Sequence, residues 1–291
     1  MTVFDQAFRI VVGEEGGFTT NPADPGNWTG GACGRGECRG TRYGVSAAAY
    51  PDIGIATLTL DAARAIYRRD YWDRVQGDLL PPPLALLVFD AAVNNGVGRA
   101  VRWLQQASGV PPDGVMGAHT LAAVAALHAR ARWGLKRVAV VDFDVHHGNG
   151  TQDIFQDDPD LMYVSSHQYP CYPGTGSAGE RGVDGNVLNL PLPPGTAGPG
   201  FRAAWERMGL PALHDFKPEL LIVSAGFDAH KLDPLADLCL ETEDFGWMTD
   251  QLLAVADAHC GGRLVSILEG GYDLHALAAS AALHVRRLMR Q

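Results

Sequence analysis

Residues 137–151 read RVAVVDFDVHHGNGT, an apolar run that gives way abruptly to Asp142, Asp144, His146 and His147. A Val-rich run without charge between Arg137 and Asp142 predicts a strand buried on both faces, as in a parallel sheet. Side chains alternate along a strand, so Asp142, Asp144 and His146 project to one side and His147 to the other. A carboxylate and an imidazole at the carboxyl end of a buried strand are costly unless compensated, and a metal ion is the usual compensation.

Working outward, three further apolar runs end in unusual polar residues. They are LMYVSSHQYPCYPGTG at 161–176, PELLIVSAGFDAHKLDP at 218–234 with Asp228, and GRLVSILEGGYD at 262–273 with Tyr272. Helical stretches at 200–209, 242–262 and 274–289 separate or follow them. Alternating strand and helix predicts an α/β parallel sheet, whose ligands bind at the carboxyl ends of the strands. Asp144, His146 and Asp228 supply two oxygens and one nitrogen and leave a position open. That is a catalytic zinc arrangement, which Fe(II) also accepts. A lone Asp at a strand end is ordinarily just hydrogen-bonded; several strand ends agreeing argue for a metal. His147 is expected to support the ligands from behind. Asp142, on the side of Asp144, is expected to hold a ligand or a monovalent cation.

Charge divides the chain. Residues 1–132 carry 12 Arg, no Lys and 12 acids, so the whole net charge of −10 lies in residues 133–291, together with eight of the ten His. Two compositions in 291 residues suggest two modules joined near Trp133. The acidic second module argues against direct nucleic-acid binding. No stretch is long and apolar enough to span a membrane, and acids and glycines follow the start too soon for a secretory signal. The expectation is a cytoplasmic product, as synthesised, with no membrane contact. Of five Cys, Cys33 and Cys38 flank GRGE in a Gly-rich loop and either close a small disulfide or bind nothing.

The first half reads as mostly α. Apolar spacing predicts a helix over 4–12, followed by Glu14, Glu15, Gly16 and Gly17. Carboxylates at a helix C-terminus oppose its dipole, and a raised carboxyl pKa is one way to make a general acid. Residues 19–44 form a long loop dense in Gly, Pro, Asn and Asp, a length that tends to be functional. Residues 45–75 read as helix, turn and helix, the second capped by Thr59 or Asp61. Tyr67, Tyr71 and Trp72 belong to its core first and to a sugar-stacking surface second. Two helices follow over 81–110, then a turn and a helix over 112–132.

The ordered motifs EEGGFTTNPADPGNWTGG, GTRYGVSAAAYPDI, LTLDAARAIYRRDYW and FDAAVNNGVGRAVRWLQ resemble glycoside hydrolase family 108, lysozyme-like enzymes that cleave peptidoglycan. DGVMGAHT and its helix are similar to the attached peptidoglycan-binding segment. The resemblance implies a lysozyme-like domain over 1–97 and a shortened binding segment over 98–132, with peptidoglycan as partner. It places the general acid at Glu15, protonating the leaving oxygen of a glycosidic bond, with Asp24 as a candidate for supporting water attack.

The second half, through VDFDVHHGNGTQ, SSHQYPCYPGTG, NVLNLPLPPG, SAGFDAHKLDPLA and ILEGGYD, resembles the zinc-dependent histone deacetylase and acetylpolyamine amidohydrolase family. The implied fold over 133–291 is part of a three-layer, arginase- and deacetylase-like α/β domain. Asp144, His146 and Asp228 are its implied Zn2+ ligands, and Tyr272 donates to the oxyanion formed on an acyl carbon. Acetylated lysine or polyamine is the implied substrate. The chain departs from the family: the adjacent His pair that moves protons upstream of the first ligands has no counterpart, since His119 and His128 lie in no matching motif. The opening strands of the family's sheet are missing too, which predicts an uncovered edge open to self-association.

Three readings follow. One is a peptidoglycan hydrolase joined to a deacetylase-like metal module that lacks the His pair. A second is a working zinc amidohydrolase. The third is a non-enzymatic fusion that binds metal or cell wall.

Overall fold

A computed structural model describes residues 2–13 and 17–290, and the chain divides into two units. The first spans Met1–Gln105 and Pro112–Met116; the second spans Gln106–Pro111 and Gly117–Gln291.

In the first unit, helix α1 (Val3–Val11) starts with a capping box: Thr2 Oγ1 accepts from Asp5 N–H while the Asp5 carboxylate accepts from Thr2 N–H. Helices α2 (Leu60–Tyr67), α3 (Pro82–Asn95) and α4 (Val97–Ala107) follow. Of the two cap candidates, Thr59 does the work, accepting from Ala62 N–H. Phe4, Phe8, Tyr67, Trp72 and Phe89 form the aromatic core, with Trp72 buried and its indole N–H on Asp78 at 3.0 Å.

The unit is not all-α. Strands β1 (Thr41–Arg42) and β2 (Val45–Ser46) form an antiparallel hairpin. Tyr43 and Gly44 between them both have positive φ, at 51° and 74°, which a two-residue hairpin turn requires. The first of the two helices predicted over 45–75 does not form: Val45 packs inward as a strand residue, and turns lead from Ser46 to α2. The loop before it is ordered by buried Asn27, whose side chain bonds Asn21 O and Thr41 Oγ1. Cys33 and Cys38 are free thiols.

In the second unit, α5 (Ala118–Trp133) leads into β3 (Val138–Asp142), α6 (Asn149–Phe155), β4 (Leu161–Gln168) and β5 (Val187–Leu192). Then come α7 (Gly198–Ala204), α8 (Leu210–Phe216), β6 (Leu220–Ala225), α9 (Thr242–Val255), β7 (Leu264–Leu268) and α10 (Leu274–Leu288). All five strands are parallel, in the order β5-β4-β3-β6-β7. Ala139, Val141 and Phe143 face Trp205, Phe245 and Met248 on one side of the sheet. Val138, Val140, Tyr163 and Ile222 meet Ala122, Ala126, Ala129 and Phe155 on the other. The result is three layers, with β3, β4 and β6 buried throughout.

Two sequence expectations change here. The helix at 118–133, assigned with residues 98–132 to a peptidoglycan-binding segment, packs its alanine stripe onto the sheet and belongs to the second unit. Strand β5 was not read as a strand, because Asn189 and Pro191 interrupt its apolar run. Pro191 is tolerable because β5 is an edge, where a missing proline N–H costs no ladder bond, and buried Asn189 is accommodated by donating from Nδ2 to Gln152 Oε1 at 2.8 Å.

His284 of α10 lies buried between Thr249 Oγ1 (2.7 Å) and Ser266 Oγ (2.8 Å), against Phe143 and Phe227. Burial pushes its pKa down to about 4. The unfolded chain takes up this proton near pH 6.5, whereas the folded protein refuses it until about pH 4. This contribution is therefore complete above pH 6.5 and is lost as pH falls toward 4, on the order of 3 kcal/mol. Urea unfolding should show His284→Gln losing less stability than wild type between pH 7 and 5; parallel losses would contradict this.

Candidate metal centre

The chain runs from β3 through β4 to β5 on one side, then returns through β6 to β7 on the other. The carboxyl ends of β3 and β6 therefore flank the switch point, where open α/β sheets leave a crevice. Asp144 and His146 follow β3, and Asp228 follows β6. One ligand atom from each lies within 4.8 Å of the others. Among the described residues this is the only such group of three.

Each carboxylate is aimed by backbone. Asp144 Oδ1 accepts His146 N–H at 2.8 Å, and its Oδ2 accepts Gly270 N–H at 3.1 Å from beyond β7. Asp228 Oδ1 accepts Val145 N–H at 2.8 Å, leaving Oδ2 3.1 Å from His146 Nδ1. Asp144 Oδ1 stands 3.2 Å from the same nitrogen. Asp142 anchors the turn: it accepts Asp144 N–H at 3.0 Å and the Tyr163 hydroxyl at 2.8 Å, and that hydroxyl in turn accepts Gly148 N–H.

Two glycines, noticed in sequence only as part of the strand-end motifs, make room. A Cβ on Gly226 would collide with the Asp144 backbone and carboxylate, and one on Gly270 would overlap both Asp144 and Asp228. The general signal was there, since a glycine inside a strand-end motif marks close approach of another group.

The electrostatics call for a cation. Hydrogen bonds to Asp144 and then Asp228 push the His146 pKa up to about 10, so a proton sits between the carboxylates. Even so, burial drives Asp228 up to about 6. Burial, and then the Asp144 charge, drive Glu269 up to about 8, and its Oε1 is buried without a partner. Asp142 is also pushed well above its usual range, first by burial. One imidazolium does not offset this much buried carboxylate. A divalent ion on an O, N, O donor set does, and the cradle fits one.

His147 points away, as alternation predicted. Its Nδ1 meets Thr175 Oγ1 at 2.8 Å and its Nε2 meets Gln152 Oε1 at 3.0 Å. Behind it His167, which sequence reasoning passed over, donates from Nε2 to Gly176 O, and burial holds its pKa at about 4. Glu180 completes this layer. Burial works against its charge, yet hydrogen bonds from Gln152 and from the Ser177 and Gly176 amides hold its pKa at about 2. The signal for this layer was only the polar content of a strand that is buried along its whole length.

Tyr272 stands half-exposed beyond Gly271, with its N–H on Asp233 at 2.7 Å. Burial, then Asp228 and Asp144, raise its phenol pKa, which keeps the hydroxyl protonated. Exposed Tyr172 packs edge-on to His146 at 6.3 Å. His128 lies exposed on α5, and no imidazole besides His146 belongs to the ligand cluster among the described residues. Glu15 lies outside the described residues. Asp24 is exposed and caps the turn Pro25–Asn27 by accepting Gly26 N–H at 2.9 Å.

Residues 8–96 match the glycosyl hydrolase 108 family model, a similarity over about a third of the chain. Residues 120–288 match the histone deacetylase domain model. The rice protein named histone deacetylase 10, chloroplastic, is 48% identical over 176 residues, covering 59% of this chain and 40% of that protein. The histone deacetylase-like amidohydrolase of Pseudomonas aeruginosa is 46% identical over 168 residues, covering 56% of this chain and 44% of the relative. Among solved structures, the HDA15 HD domain aligns with a TM-score of 0.54 at 39% identity, covering 59% of this chain and 49% of that one. The histone deacetylase Clr3 aligns at 0.57 and 29% identity, covering 81% of this chain and 41% of that one. The chain thus spans about two fifths of the length of the rice and Pseudomonas relatives. No helix among the described residues is long and apolar enough to cross a membrane. By the match over residues 120–288, more than half of its length, the chain belongs to the histone deacetylase domain family.

Proposed function

We propose that the second unit is a divalent-metal amidohydrolase centre of the deacetylase type, acting on an acylated amine. The convergence of Asp144, His146 and Asp228 at the switch point carries this reading. A zinc or ferrous ion held there supplies Lewis acidity toward a carbonyl oxygen. Asp228 and Asp144 orient His146, and the backbone N–H groups of Val145 and Gly270 orient the carboxylates. The Tyr272 hydroxyl, kept protonated by its surroundings, donates to the oxygen as negative charge develops there. An acetylated lysine or polyamine fits this chemistry, with Tyr172 at the entrance beside His146. The family's paired histidines have no counterpart, so proton transfer falls to solvent and turnover is expected ~10²–10⁴-fold below that of a centre with a general acid–base.

A second activity is supported by the match of residues 8–96 to glycosyl hydrolase 108: cleavage of peptidoglycan by a lysozyme-like unit with Glu15 as general acid.

Purified chain loaded with Zn2+ should release acetate from an acetyl-lysine peptide slowly, and Tyr272→Phe should lower that rate about 100-fold with metal content unchanged. Acetate release equal in Tyr272→Phe and wild type would contradict the role given to Tyr272. Gly270→Ala should weaken zinc binding at least about tenfold in chelator competition, because its methyl displaces both carboxylates. Unchanged affinity would contradict the cradle. For the first unit, wild type should clear a cell-wall suspension and Glu15→Gln should not; equal clearing by both would rule out that acid.

A further inference from the structure

Among the described residues strand β7 is an edge of the sheet, paired only to β6, and its own sequence carries none of the usual protections of an edge. It has no Lys, no Pro and no bulge, and it exposes Val265 (45%) and Leu268 (61%). The helices covering its two faces add exposed apolar side chains, Leu127 and Trp133 on α5 and Val285 on α10.

Its backbone polarity can be read from the bonds at its ends. Arg263 C=O accepts from Leu221, and Glu269 N–H donates to Ala225, so the odd-numbered residues bond to β6. In a parallel strand the alternate residues then point N–H and C=O the other way. Leu264, Ser266 and Leu268 therefore present three donors and three acceptors along the open edge.

The sequence around Ser266 reads G-R-L-V-S-I-L-E-G over 262–270 and is chemically self-complementary about its centre. Laid antiparallel on a second copy about Ser266, Leu264 meets Leu268 and Val265 meets Ile267, while the Glu269 carboxyl stays buried beside Asp144 and Asp228 and takes no part in the seam. Apolar faces apolar, no like charges oppose, and Ser266 meets itself. The parity agrees: Ser266 and the Leu264–Leu268 pairs are the ones whose N–H and C=O point outward, so they become the hydrogen-bonded pairs. All three donors and all three acceptors of each copy are satisfied together. A register shifted by one residue would satisfy none of this.

We propose that β7 pairs antiparallel with β7 of a second copy across a two-fold axis at Ser266, joining two sheets into one. The inference is independent of the metal chemistry. Because the contact is isologous, one substitution acts twice and the assembly closes at two chains.

Sedimentation and amide hydrogen exchange of the full chain test it. Wild type should sediment at twice 31.1 kDa. Its Leu264, Ser266 and Leu268 amides should exchange slowly. Val265→Lys and Leu268→Lys should each raise the dimer dissociation constant at least about tenfold. Those three amides should then exchange fast, while Val265 and Ile267, bonded to β6, stay slow. Met208→Lys, at an exposed position between α7 and α8, should leave the dimer intact. A monomeric wild type, an open-ended series of larger species, or a dimer unmoved by both lysines would overturn the proposal. Fast exchange at Leu264, Ser266 and Leu268 in a wild-type dimer would also overturn it.

Discussion

Two carboxylates brought within reach of one imidazole set the constraint around which the second unit is built. Asp144 and Asp228 lie far apart in sequence but leave neighbouring strands, and His146 Nδ1 sits between them at 3.2 and 3.1 Å. Buried charge of that density is tolerable only with a cation in its midst. Without a metal, the proton on His146 takes that place, and the raised Asp228 and Glu269 show how incomplete the compensation is. The glycines, the backbone N–H groups and the Asp142–Tyr163 anchor follow from this requirement, since each keeps an oxygen aimed inward at no cost in space.

The sheet makes that meeting possible. A parallel order that reverses between β3 and β6 puts two strand ends side by side with no connection running between them. The remaining strands widen the platform on either side. Its two edges differ: β5 tolerates Pro191, whereas β7 shows an open, uncharged ladder.

Much of this was legible because the signals were local. A Val-rich run ending in Asp-Phe-Asp-Val-His announces both a buried strand and the side each ligand takes. The sequence also placed Asp228 and Tyr272 at strand ends. What it hid was long-range. That α5 belongs to the sheet depends on an alanine stripe whose partners lie in β3 and β6, and a helix of such small residues carries little amphipathic contrast. Strand β5 was masked by Asn189 and Pro191, and the β1–β2 hairpin by a turn that depends on the backbone of Tyr43. The layer of His167, Gln152 and Glu180 behind His147 could not be read, because its members meet only once the loops fold.

X-ray absorption on the zinc-loaded chain would show whether one divalent ion sits on two carboxylates and one imidazole. The expected spectrum is one ion per chain with only oxygen and nitrogen neighbours at about 2.0–2.2 Å, a single imidazole among them, and loss of the ion in Asp228→Asn. Sulfur at about 2.3 Å, or an ion retained with the same spectrum in Asp228→Asn, would contradict it.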